Sequence, residues 1–161
     1  MQAVKDSFYM TLRQRLAQLY PARTLANDGR PAILVCENER ESWMASNDAF
    51  YLRWLSDAKL PPDASSAGWH ALSCEIVYCT GGTDGALGDD RGRALAELDA
   101  ELLAILNPEQ APLLDYTQDP PADLRTALLW TPPVSEDDKD SNGVLERTAR
   151  VTVLWQEGVQ A

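Results

Sequence analysis

Three groups of residues have types and spacings that could support chemistry. The first is Gly81-Gly82-Thr83-Asp84-Gly85-Ala86-Leu87-Gly88, a glycine-rich turn ahead of a helical pattern. Phosphate-binding turns aim backbone N–H groups from a helix N-terminus at the anion. This one lacks the Lys-Ser/Thr ending of a P-loop, and Asp84, Asp89 and Asp90 would repel a phosphate. It reads instead as a strand-to-helix turn in which glycine supplies positive φ. The second is Asp138-Lys139-Asp140-Ser141-Asn142-Gly143-Val144-Leu145, which follows the opening of a calcium loop, with oxygen ligands at the first, third and fifth positions and glycine at the sixth. The twelfth position needs a bidentate carboxylate and holds Ala149, and Pro132-Pro133 stand where an entering helix belongs. The expectation is a solvated acidic hairpin and no required metal site.

The third group is the histidine and the thiols. A nucleophile needs a base that a third group holds in place, and no Ser or Cys stands out as a partner for His70, the single histidine. Cys36, Cys74 and Cys79 do not have the spacing of a structural zinc site, and Cys36 and Cys74 lie in apolar runs where a thiol packs as a small hydrophobe. Glu97 and Glu101, one helical turn apart, read as a solvated helix face. No catalytic, cofactor-binding or metal-binding residue emerges, and the chain is expected not to be an enzyme.

The elements that must position these residues follow from periodicity. Phe8, Leu12, Leu16 and Leu19 share one stripe of a helix over 6–20, capped by Asp6 or Ser7, with Arg13 and Arg15 toward water and Pro21 as its stop. Asn27-Asp28-Gly29 turns the chain into Ala32-Ile33-Leu34-Val35-Cys36, an apolar run expected as a central strand covered on both faces. Residues 37–68 are expected as a β-hairpin or extended arm, although Phe50, Tyr51, Trp54, Leu55 and Ala58 also fit a helical face. From Trp69 to Cys79, Leu72, Cys74, Ile76 and Tyr78 alternate with Ser73, Glu75 and Val77, the period of a strand. Leu95, Leu98, Leu102 and Ile105 mark a second helix ended by Pro108, with Asp89 and Asp90 at the positive end of its dipole. Thr126–Trp130 reads as a short strand and Val144–Trp155 as a long one. The fold expected is α+β: one mostly antiparallel sheet of about four strands with two helices on one face, in a single domain over 1–161 with 37–68 as its arm.

Composition bounds the partners. No run approaches the roughly 20 apolar residues of a membrane span, and no apolar signal region opens the chain, so a soluble protein made in the cytoplasm is expected. A net charge of −11 argues against gripping a phosphate backbone, yet it suits a wall past which DNA slides without specific binding. Five tryptophans and five tyrosines without an apparent active site need another outlet, and Trp43, Tyr51 and Trp54 are the candidates for contact with a neighbouring subunit. The alternative is that they fill the core.

Five segments carry a resemblance: the helix Ser7-Phe8-Tyr9-Met10-Thr11-Leu12-Arg13-Gln14-Arg15-Leu16, the strand Pro31–Val35, the strand Trp69–Tyr78, the helix Arg93–Leu102 and the closing strand Arg147–Trp155. Together they resemble the tail terminator proteins of long-tailed bacteriophages, small α+β subunits that form a hexameric ring on the tail tube. The resemblance implies a virion protein that caps the tube protein, stops its polymerisation, and offers a joining surface to the connector or stopper protein of the head. DNA would pass through the lumen, with no membrane and no cofactor involved. The alternatives are a neck or tail-completion protein, or a small cytosolic enzyme or binding module.

Overall fold

The alternating run predicted from Trp69 lies at the middle of the sheet. A computed structural model describes residues 1–22, 33–35, 49–57, 60, 68–83, 86–107, 113–141 and 143–156. In chain order its elements are α1 (Gln2–Leu19), β1 (Ile33–Val35), β2 (Phe50–Asp57), β3 (Trp69–Thr80) and α2 (Arg91–Ile105). Then come β4 (Leu114–Asp115), β5 (Ala122–Asp123), β6 (Ala127–Trp130), β7 (Val134–Ser135), β8 (Lys139–Ser141) and β9 (Val144–Gln156). The class is α+β, as the periodicities predict.

Among the described residues the main sheet has seven strands, ordered β1-β2-β3-β9-β6, with β7 and β8 also pairing β9. All its pairings are antiparallel except β1 with β2, which is parallel. β3 and β9 pair over their whole lengths, from Trp69 opposite Gln156 to Thr80 opposite Leu145. Along the other edge of β9 the chain returns in three short steps, β6, β7 and β8. β7 and β8 are too short for periodicity to reveal and β2 falls within the expected arm, which is why the sequence suggests about four strands. β4 and β5 form a separate small hairpin.

The register divides the sheet into two faces. Phe50, Leu52 and Trp54 of β2 lie opposite Tyr78, Ile76 and Cys74 of β3, which align in turn with Arg147, Ala149 and Val151 of β9. This is the inner face. Onto it pack Val4, Phe8, Leu12 and Leu16 of α1 and Leu95, Leu98, Leu102 and Ile105 of α2, with Leu128 and Trp130 of β6. The predicted α2 stripe is buried at all four positions.

Three expectations are corrected. The α1 helix begins at Gln2, so Asp6 and Ser7 lie inside it: Asp6 accepts a hydrogen bond from Gln2 at 2.8 Å, and Ser7 is buried. Its buried face runs Val4, Ser7, Phe8, Thr11, Leu12, Arg15 and Leu16, so Arg15 is inside while Leu19 is 48% exposed. The helical period continues through polar side chains that an apolar stripe skips. β1, expected to be central, ends the described sheet beside β2. An apolar run of this kind belongs to parallel pairing as readily as to a central position. Within 37–68, Phe50–Asp57 is a strand of the main sheet with an irregularity in register between Trp54 and Asp57; 37–48, 58–59 and 61–67 lie outside the described residues.

Candidate functional site

The outer face of the sheet carries a ladder of charge. Arg53 lies directly opposite Glu75, and Glu75 directly opposite Arg150, so three neighbouring strands place cation, anion and cation in one row. Arg53 Nη2 donates to Glu75 Oε2; Arg150 donates to Oε1 from Nε at 3.2 Å and from Nη2 at 3.0 Å. Arg150 also reaches Glu136 at 3.0 Å, beyond β7. The Glu75 side chain is 6% exposed. Burial pushes its pKa up, but the hydrogen bonds from Arg53 and Arg150 outweigh that and hold it below the ordinary carboxylate value.

A second cluster ties α2 to the sheet. Arg147 of β9 forks onto Asp138, with Nε to Oδ1 at 2.6 Å and Nη2 to Oδ2 at 2.9 Å, and its Nη1 donates to Asp99 of α2. The Tyr78 hydroxyl donates to Asp99 at 2.6 Å. Burial and then the Asp99 carboxylate push the Tyr78 phenol well up, and hydrogen bonding from Arg147 draws Asp138 down. The calcium-like segment is thus engaged by cations of its own chain: Asp138 by Arg147, and Asp140 by Arg91 at 3.2 Å. Gly143, at φ +79°, turns β8 into β9. Asn142 lies outside the described residues.

In the glycine-rich segment, whose residues 84 and 85 lie outside the described residues, the described hydrogen bonds gather on Asp90. Its side chain does not cap α2 but reaches back, accepting from the Thr83 amide at 2.9 Å and from the Thr83 hydroxyl. Hydrogen bonds from Thr83, with Arg93 at 3.1 Å behind them, lower its pKa to about 2. Gly82, at φ +86°, lies so close that a Cβ there would stand 2.5 Å from Asp90 Oδ1. Glycine is required at this position on both counts.

The C-terminal end of α2 is closed by two side chains from elsewhere in the fold. Arg15 Nη1 donates to the Ile105 carbonyl at 2.9 Å and to that of Asn107, and its guanidinium lies 5.4 Å from the centre of the Trp130 ring. Trp130 Nε1 donates to the Leu106 carbonyl at 2.7 Å. A buried cation here meets the negative pole of the helix dipole as well as its orphan carbonyls. Burial lowers the Arg15 pKa.

Of the candidate contact residues, Tyr51 and Trp54 are on opposite faces of β2 and the structure does not bring them together. Tyr51 is buried on the outer face beside Val77. Trp54 is half-buried on the inner face, edge-on to Phe8 at 5.6 Å and with Lys5 Nζ 5.5 Å from its ring centre. Trp43 lies outside the described residues. His70 is exposed and stacks on Trp155 at 5.1 Å. Burial raises the Cys74 thiol to about 12, which suits a packing role; Cys79 is also buried, and Cys36 lies outside the described residues. Glu97 is exposed and Glu101 half-buried. Among the described residues no three His, Cys, Asp or Glu gather as a metal site, and no helix is long and apolar enough to cross a membrane.

The arrangement braces. Hydrogen bonds from Arg and Thr hold Glu75, Asp90 and Asp138 below the ordinary carboxylate range, and burial raises the Cys74 thiol and the Tyr78 phenol. The clusters fasten β2, β3, β9, α2 and the β7–β8 connection into one unit. No known protein family matches the chain, and a search of curated proteins finds no relative.

Proposed function

We propose that this chain is a structural subunit of a phage tail, a tail terminator that assembles as a ring on the tube, stops its elongation and presents the joining surface for the head. The observation that carries the reading is that the described parts of the five segments of the resemblance belong to one arrangement: α1 and α2 on the inner face of the sheet that holds β1, β3 and β9. The charge networks support it, since a subunit that transmits load between tube and head needs its strands and helix fastened by more than packing. The net charge of −11 suits a ring through which DNA slides.

The test is elongation of the tube protein of the same particle, followed by light scattering, with this chain added in substoichiometric amounts. The expected result is an early plateau, with shorter tubes as the amount rises. Elongation that continues at the same rate and to the same extent would remove the reading and leave a binding module or an enzyme to be sought.

A further inference from the structure

The segment from Val134 to Ser141, which holds β7 and β8, covers one edge of β9 without burying itself. Every residue from Val134 to Asp140 is exposed, so burial of apolar surface contributes little to its attachment. Two residues of β7 and three of β8 enter the ladder, and between them the Glu136 amide donates to the Thr148 carbonyl at 2.8 Å. Ser135 adds a hydrogen bond with the Tyr78 hydroxyl. The other anchors are charges. Glu136, Asp138 and Asp140, at alternate positions, meet Arg150 at 3.0 Å, Arg147 at 2.6 Å and Arg91 at 3.2 Å.

The three arginines do not depend on this segment. Arg150 also donates to Glu75, Arg147 to Asp99, and Arg91 Nε to the Gly88 carbonyl at 3.0 Å. When the three carboxylates leave, each arginine keeps a partner on the body of the fold and each carboxylate gains water. Opening therefore strands no buried charge, and the row of arginines stays in place for closing. The ends suit a segment that swings. Pro132-Pro133, which cannot donate to a ladder, precede it, and Gly143, at φ +79°, follows it.

We propose that residues 134–141 form a strap closed by ion pairs, which opens as a unit when ionic strength rises, ahead of the rest of the sheet. Partly exposed pairs are screened once the Debye length falls to about 3 Å in about 1 M salt. The long β3–β9 ladder and the core beneath it do not rest on such pairs. The open strap uncovers the edge of β9 from Val144 to Arg150, an unpaired ladder that closure keeps from other chains. The strap is a property of the fold alone and stands apart from the tail reading.

The test is hydrogen exchange of the full chain by mass spectrometry at neutral pH, in about 0.01 M and about 1 M sodium chloride. The expected result is exchange over 134–141 that is about tenfold faster at high salt, the scale of three screened surface pairs, while β3 exchanges alike in both. Asp138→Asn with Asp140→Asn should already exchange faster at low salt and should lose most of the response. Asp137→Asn, which changes an exposed carboxylate between two of the anchors, should match wild type. Wild-type protection over 134–141 that is the same at both salt concentrations, or that disappears only together with that of β3, would overturn the strap. So would a double variant that responds to salt as wild type does, because the response would then come from general repulsion in an acidic chain. Protection at β3 reports in the same experiment that each variant is folded, and the wild-type comparison decides the matter even where a variant is not.

Discussion

Glu75 is the residue on which most cross-strand charge converges, since Arg53 and Arg150 both donate to it from neighbouring strands. Its folded pKa lies below the ordinary 4.5, so its contribution to stability is fully present above that value and is lost as pH falls through the folded one. Acid unfolding of Glu75→Gln should accordingly be flatter below about pH 4.5 than that of wild type, followed by circular dichroism. Glu75→Ala should cost about 2 kcal/mol in urea, less than a fully buried pair, because Arg150 is 54% exposed and rehydrates. Gly82 offers a backbone counterpart. Gly82→Ala meets both a positive φ and the Asp90 carboxylate, and should lose about 2–3 kcal/mol, whereas Gly143→Ala meets only the φ and should lose about 1. Equal losses at the two sites would show that the Asp90 contact is not tight. Neither Glu75 nor Arg15 stands out in the sequence. Each is one charged residue in an amphipathic pattern, and its partners lie 22 to 92 positions away.

At the scale of elements, α2 is held at its C-terminus by Arg15 of α1 and Trp130 of β6. Arg15→Met keeps much of the side-chain packing but leaves the Ile105 and Asn107 carbonyls without their donor. It should cost about 2–3 kcal/mol, the scale of a hydrogen bond to a charged group lost at a buried acceptor. Hydrogen exchange should then quicken at the last turn of α2 before the rest of the helix. Uniform protection along α2 would contradict the role. The α2 stripe and β9 were legible because each sets an apolar face against more exposed positions over many residues, and β3 because Leu72, Cys74, Ile76 and Tyr78 recur at every second position, although Glu75 and Val77 between them are buried as well. β2 was ambiguous because Phe50, Tyr51, Leu52, Trp54 and Leu55 place apolar groups on both faces, which suits helix and strand alike. β7 and β8 escaped because their pairing is dictated by β9 and not by their own two or three residues.

For the whole molecule, both helices cover one face of the sheet, and the Glu75 and Arg147 clusters join its strands to one another and to α2. The α+β class could be read from periodicity. The Arg147 cluster could not, because it depends on Asp99 of α2 and Asp138 of the β7–β8 connection meeting at one position of β9. The central claim is that this chain ends a tube as a ring. The measurement that tests it most directly is electron microscopy of tail tubes grown from the tube protein with this chain present. The account predicts a ring of this protein at one end of each shortened tube. Tubes of unchanged length with bare ends, beside a wild-type chain that remains monomeric, would contradict it.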